Sequence, residues 1–389
     1  MSIRIGAALS LRHDARTAAI DASQEAVSAL AGAPVDVAVV FASGDHLKAP
    51  EALLEGVYEA LRPREVVGCG ASGVLAAGSE VESGTAVAVW AAALEEGAVR
   101  TFHASSLQAH TGELLPDTVV LAGVPDVGEA TGVIALPDPY SFDTEALLVA
   151  LREHDGAVPV FGGQASARTA DGGAALFHGE VVVEQGAVGL VFEGVPLAPC
   201  VSQGAAPVGP ELTITAAEGR VIHELAGRPA LVKLREVFEG LTERERELIG
   251  SGLLLGIVID AGKPEYEQGD FLVRGVVGAD PAHGSIALGE HVHPGQVVRL
   301  HARDAHSADR DLSRGLAALG PAAPAGALCF TCTGRGRGMF GVPDHDAATL
   351  ARVLADAPAA GFFAAGEIGP VRGANFQHSF SASVAVFSR

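Results

Sequence analysis

Between Gly334 and Gly338 the chain reads Gly-Arg-Gly-Arg-Gly, two arginines alternating with three glycines. Glycine lets a backbone turn tightly and expose its N–H groups. An arginine guanidinium presents a planar fork that fits a carboxylate or a phosphate. Arg335 and Arg337 are therefore candidate contacts for a bound anion. The competing reading pairs them with the protein's own Glu367 or with surface carboxylates. Residues 315–343 hold no Asp or Glu, so along the sequence the two arginines stand clear of neutralising acids.

Other spacings suggest chemistry and then fail a structural condition. Residues 68–73, GCGASG, match G-x-G-x-x-G. A dinucleotide site needs a helix directly afterwards to receive the pyrophosphate, and the following VLAAGSEVESG is too rich in Gly and Ser to form one. Val74 replaces the last glycine of a G-x-S-x-G elbow, which argues against Ser72 as a nucleophile of that kind. Cys329 and Cys332 have C-x-x-C spacing but fall on a predicted strand, where residues three apart face opposite sides. A thioredoxin-type pair sits at a helix N-terminus instead. Histidines gather at His283, His291, His293, His301 and His306, and His291 and His293 would share a strand face. No Cys, Asp or Glu completes a familiar ligand spacing, so neither a metal nor a cofactor is expected.

The elements that would position these residues follow a recurring order. Strands are predicted at Ile3–Leu9, 35–41, Glu65–Cys69 and Gly84–Leu94, with helices from Asp14 to Leu30 and Pro50 to Leu61. The order returns as a strand at Val133–Leu136, a helix at Asp143–His154, a strand at Val158–Phe161, the turn GGQAS and a strand at Ala187–Phe192. It returns again as a strand at Ala327–Thr331, a helix at His345–Asp356, a strand at Gly361–Ala364, the turn AGEIG and a strand at Ser381–Phe387. Three strand–helix–strand–strand units result, each with a Gly-rich turn after its second strand. If those turns are equivalent, Cys69, Ser72, Gln164, Cys332 and Glu367 face one cleft. Asn375 and His378, in RGANFQH, lie between two strands and are candidates either for a hairpin turn or for ligand contact. The region between the second and third units is read as strands at Glu211–Ala216, Arg220–His223, Leu253–Ile259, Phe271–Val277 and Val297–Ala302. Helices are predicted there at Pro229–Glu239, Glu243–Ile249 and 304–319.

Composition limits the function classes. The chain has 389 residues, 26 Lys+Arg against 47 Asp+Glu, and a net charge of −21, a field that repels nucleic-acid phosphates. Hydrophobic residues make up 48% and charged residues 19%, enough to bury a sizeable core. Four cysteines are no disulfide framework. The short apolar run at the N-terminus has no cleavage site after it, and the charge-free stretch 315–334 carries Pro321 and Pro324. Neither a leader nor a membrane span is expected, and the location predicted is the cytoplasm.

Several segments together resemble the FIST family of paired FIST N and FIST C domains, over nearly the whole chain. They are CVSQGAAPVGP (200–210), TITAAEGRVIHELAGRPAL (213–231), FLVRGVVGADPAHGSIAL (271–288), CFTCTGRGRGMF (329–340) and GFFAAGEIGPVRGANFQH (361–378), with GCGASG and VFGGQAS nearer the N-terminus. Gly70 departs from the family pattern, where a hydroxyl residue is usual, as do Val74 and Leu75, where an acid is common. The resemblance implies a sensory module that binds a small molecule, an amino acid or related carboxylate, and feeds a separate signalling partner.

The resulting expectation is a mixed α/β protein with a FIST N-like domain over 1–195 and a FIST C-like domain over 196–389. A small ligand would lie in a cleft between domains, touched by Arg335, Arg337, Glu367, Cys332, Cys69, Ser72, Gly163, Gln164, Asn375 and His378. Two rival readings are a cysteine-dependent hydrolase or transferase using Cys332 or Cys69 with His378 as base, and a scaffold for a protein partner.

Overall fold

The computed structural model describes residues 3–109, 118–153, 158–250, 253–320 and 323–388. The first repeat runs β1 (Ile3–Ser10), α1 (Ala15–Ser28), β2 (Val37–Ser43), α2 (Pro50–Leu61), β3 (Glu65–Gly70), a hairpin of β4 (Val74–Ala76) and β5 (Ser79–Val81), then β6 (Ala86–Leu94). Pro50 opens α2 where a helix has no use for its N–H, and Asp14 caps α1 by accepting from the Thr17 amide. The second repeat runs β7 (Ala98–Ala109), β8 (Thr118–Ala122), β9 (Ala130–Pro137), α3 (Thr144–Glu153), β10 (Val160–Gly163), the hairpin β11 (Leu176–His178) and β12 (Val181–Val183), and β13 (Ala187–Glu193). The expected end of α3 at His154 lies outside the described residues, as does Pro321.

The third repeat opens with β14 (Leu197–Gln203) and is interrupted. The interruption holds β15 (Ala205–Glu218), β16 (Val221–Leu225), β17 (Arg228–Pro229), α4 (Ala230–Gly240), α5 (Glu243–Ile249), β18 (Leu254–Val258), β19 (Phe271–Asp280), β20 (Ser285–Leu288) and β21 (Val297–Arg303). The repeat then resumes with α6 (Ala305–Ala317), β22 (Pro324–Cys332), the short α7 (Arg337–Phe340), α8 (His345–Val353), β23 (Ala359–Ala364), the hairpin β24 (Glu367–Val371) and β25 (Ala374–His378), and β26 (Ser381–Ser388). Among the described residues no helix is long and apolar enough to cross a membrane.

The chain separates into two compact units, and the interruption forms most of one of them: Ser202–Asp311 with His378–Ser381. Its strands run in the order β15-β21-β18-β19-β20-β16-β17, and β15 also pairs with β16, so six antiparallel strands close on themselves. Its core gathers Leu212, Ile214, Leu255 and Leu300 with Leu234 of α4 and Ile249 of α5.

The other unit, Met1–Val201 with Leu312–Gln377 and Ala382–Arg389, holds the three repeats. Each repeat builds the same sheet centre. Its two long strands run parallel, as β2 with β3, β9 with β10 and β22 with β23, and its last strand lies antiparallel beside the first of them. The free edge of the second strand is covered by a hairpin from another repeat. β11 pairs with β3, β24 with β10 and β4 with β23, so hairpins pass around a ring: second to first, third to second, first to third. The inner faces share one core that includes Phe41, Trp90, Phe161, Phe192, Phe330 and Phe362. The outer faces are covered by α1 and α2, by α3, and by α6 and α8.

The register sharpens the repeat. Gly68, Gly162 and Gly361 hold equivalent places, opposite Val40, Ala135 and Cys329 on the parallel neighbour. A Cβ added there would stand 1.8, 1.9 and 1.7 Å from those residues' carbonyl oxygens. The third turn equivalent to GCGAS and GGQAS is therefore GFFAA, and AGEIG begins four residues later, where the donated hairpin starts.

Gly361→Ala is expected to destabilise the protein by roughly 3 kcal/mol or more, because the obstruction is backbone and cannot rotate away. Gly275→Ala, where an added Cβ meets nothing within 4 Å, should stay within about 0.5 kcal/mol of wild type. Urea unfolding of the two variants, compared at constant slope, measures both.

Candidate functional site

Ligands of open α/β sheets gather beyond the carboxyl ends of the parallel strands, and here the repeats bring such ends together. The amide two residues past each equivalent glycine donates to the residue just before the incoming hairpin: Gly70 to Ala175, Gln164 to Gly366 and Phe363 to Gly73, at 2.7, 2.8 and 3.0 Å. The next turn atoms bridge repeats. The Ser72 amide donates to Ser166 Oγ at 2.9 Å, and the Ser166 hydroxyl donates to the Phe363 carbonyl. Ser72 itself is exposed. Gly163 lies against Ala364, where an added Cβ would approach its Cβ to 2.6 Å, so glycine is what lets these two turns touch. Gln164 donates its side-chain amide to Thr144 Oγ1 at 3.1 Å and so ties its turn to the start of α3. Glu367, fully buried, stands opposite Gly163 in the ladder.

The arginine loop leaves β22 at the same ends. Arg335 is buried, its side chain 1% exposed, and both tines of its fork are on Asp346: Nε to Oδ2 at 2.7 Å and Nη2 to Oδ1 at 2.8 Å. Its carboxylate partner thus comes from within the chain, eleven residues on, in the first turn of α8. Thr331 Oγ1 donates to Asp346 Oδ2 at 2.6 Å, and His345 Nδ1 lies 2.9 Å from Oδ1. The Arg335 guanidinium sits 5.1 Å from the Phe340 ring centroid, and Phe340 stacks on His345. Burial alone would raise the Asp346 carboxyl. The Arg335 charge and the hydrogen bonds from Arg335, His345 and Thr331 overcome it and hold that carboxyl well below the usual carboxylate range. Arg337 has an exposed side chain, and its backbone amide donates to Glu82 Oε1 at 2.7 Å.

Two acids absent from the sequence reading enter here on the hairpin given by the first repeat. Glu80 Oε1 accepts the amides of Asp346 and Ala347 at 2.8 and 2.9 Å, at the N-terminus of α8, and the Glu80 amide donates to Asp344 Oδ1 at 2.6 Å. Burial pushes the Glu80 carboxyl up to about 7; the two amides oppose the shift, while the charges of Asp346 and Glu82 add to it. A second pair was also missed. Asp138, just past β9 and buried, accepts from Arg168 Nη1 at 3.1 Å and from Ser141 Oγ at 2.7 Å. Asp138 is recognisable only once its place is known, directly after the first parallel strand.

The remaining candidates have structural places. Cys69 lies fully buried in the central core, where burial pushes its thiol up. Cys329 faces the helix side with Leu350, whereas Cys332, at the end of β22, accepts from the Gly334 amide at 3.4 Å. Asn375 bonds backbone, accepting from the Val160 amide at 2.9 Å and donating to the Val158 carbonyl at 2.8 Å, which fixes the start of β10. His378 ends β25 and is buried. His291 and His293 are not on a strand: both are exposed in the loop before β21, with Val292 buried between them. His301 fills space left by Gly256 within its own unit, and burial lowers it to about 4.

Asp346→Asn should cost about 3–5 kcal/mol, because it leaves the buried Arg335 without its countercharge. Glu80 has the opposite linkage from an ordinary carboxylate. Its folded value lies above the unfolded one, so its contribution is full below about pH 4.5 and lost as pH rises through about 7. Glu80→Gln should flatten that part of the Tm-versus-pH curve and raise Tm most near pH 8. An unchanged curve would remove Glu80 as its source.

The model of the FIST N domain matches residues 36–228 and that of the FIST C domain residues 230–370. The chain is similar to the uncharacterized protein Rv0628c of Mycobacterium tuberculosis, 41% identical over 389 residues that cover 99% of this chain and 100% of the relative. It is also similar to the uncharacterized protein Mb0898c of Mycobacterium bovis, 40% identical over 390 residues and 99% of each. FIST domains are in general sensory, signal-transduction domains thought to bind small ligands. With both domain models matched in order and relatives aligned over their full length, this chain belongs to the FIST family.

Proposed function

We propose that this protein is a cytoplasmic sensory module that binds an amino acid or related carboxylate at the carboxyl ends of the parallel strands in its three-repeat unit. Occupancy is passed to a separate signalling partner. The observation that carries the reading is the meeting of turns from all three repeats through Ser72, Ser166 and Phe363. A ligand seated there touches three sheets at once, so a small molecule can bias their packing, which is what a sensor requires. In this reading Ser72, Gln164, Cys332, Glu367 and Arg337 border the ligand, and the Asp346–Arg335 pair holds the arginine loop in place.

The test is thermal shift against a panel of amino acids and organic acids. A ligand at about 100 times its Kd adds about 2.7 kcal/mol, several degrees of Tm at this size. Ser72→Tyr crowds the exposed centre of the turns and should abolish that shift while leaving the unliganded Tm close to wild type. A panel that shifts nothing, or a shift that survives Ser72→Tyr, sinks the reading.

A further inference from the structure

The two Arg–Asp pairs at the strand ends differ in one respect that decides what each can do. In the third repeat, Arg335 is sealed, 1% exposed. In the second, Arg168 pairs with an equally buried acid, Asp138, yet keeps 31% of its side chain exposed. Arg168 lies two residues after Ser166, whose hydroxyl joins the turns. Its Nε donates to the Gly172 carbonyl and its Nη1 to Asp138, so the fork is oriented from two directions, and its plane rests 4.6 Å from the Tyr140 ring centroid. Nη2 makes no hydrogen bond among the described residues. Tyr140 is 79% exposed, which leaves an aromatic face beside the cation.

We propose that Arg168 anchors the ligand, that the group it holds is a carboxylate, and that Tyr140 borders the rest of the molecule. The proposal rests on the reading that a small molecule binds at these turns, and it names the residue that recognises its charge. A guanidinium already aligned by Asp138 and Gly172 gives up little freedom on binding, and its remaining N–H edge can donate to an oxyanion without breaking an existing bond. In a chain of net charge −21 an anion is repelled at long range, so it needs an oriented cation at the point of contact.

The experiment is calorimetric titration of wild type, Arg168→Gln, Arg168→Lys and Tyr140→Ala. The titrants are the best carboxylate from the panel, its primary amide, and inorganic phosphate. The expected result is a tenfold or greater loss of carboxylate affinity in Arg168→Gln, partial recovery in Arg168→Lys, and a smaller loss in Tyr140→Ala. The amide should bind wild type and Arg168→Gln alike. Carboxylate affinity within twofold of wild type in Arg168→Gln, with an unchanged unliganded Tm, overturns the role of Arg168 and leaves the sensory reading intact. Phosphate bound more tightly than any carboxylate overturns the ligand class. If wild type binds no member of the panel, the sensory reading fails and this inference with it.

Discussion

An unpaired strand edge is the constraint on which the three-repeat unit depends. A parallel pair needs a second strand whose outer N–H and C=O groups must find partners, and in each repeat those partners come from a different repeat. No repeat completes its own sheet. The equivalent glycines make the arrangement possible, because Gly68, Gly162 and Gly361 have no Cβ to collide with the carbonyl oxygens of Val40, Ala135 and Cys329 on the parallel neighbours. The turns beyond those glycines are then brought together by the hairpins that enter beside them. Site and fold thus have one cause: the edge closure that completes the sheets also gathers the strand ends.

Much of this was legible in the sequence. The β-branched run at 35–41, the proline-led helix at Pro50 and the Gly-rich turns gave the repeat order, and the structure has it. The hairpins were not legible. Val74–Ala76 and Ser79–Val81 are three residues each, too short to show an alternation. Without them the third turn was set four residues out of register. The histidine pair at 291 and 293 was misread for a related reason: alternation suggested a strand, but Pro294 and Gly295 end the segment as a turn.

The arginine loop shows how a one-dimensional charge count misleads. Residues 315–343 lack acids, yet in space the loop is bordered by Asp346 from the following helix and by Glu80 and Glu82 from a hairpin some 255 residues away. Asp346 was open to inference, since it lies in the first turn of a predicted helix only eleven residues from Arg335. Glu82 was not, because nothing local announces that its hairpin belongs to another sheet. Asp346 takes Nε and Nη2 of the buried cation, Glu82 takes the Arg337 amide and Glu80 the first amides of α8, so the residues that cancel the loop's charge also fix its path.

The ring of hairpins also bears on how the chain is made. Synthesis runs from the N-terminus, so β4 and β5 leave the ribosome long before β23, the strand they must join. The gap is roughly 280 residues, which at about 5–20 residues per second is on the order of tens of seconds. Throughout that interval the first repeat lacks β11 as its partner for part of the time and holds its own hairpin unplaced for all of it. A nascent chain in this state carries two short strand edges without their partners, and its native closure waits for the last repeat to emerge.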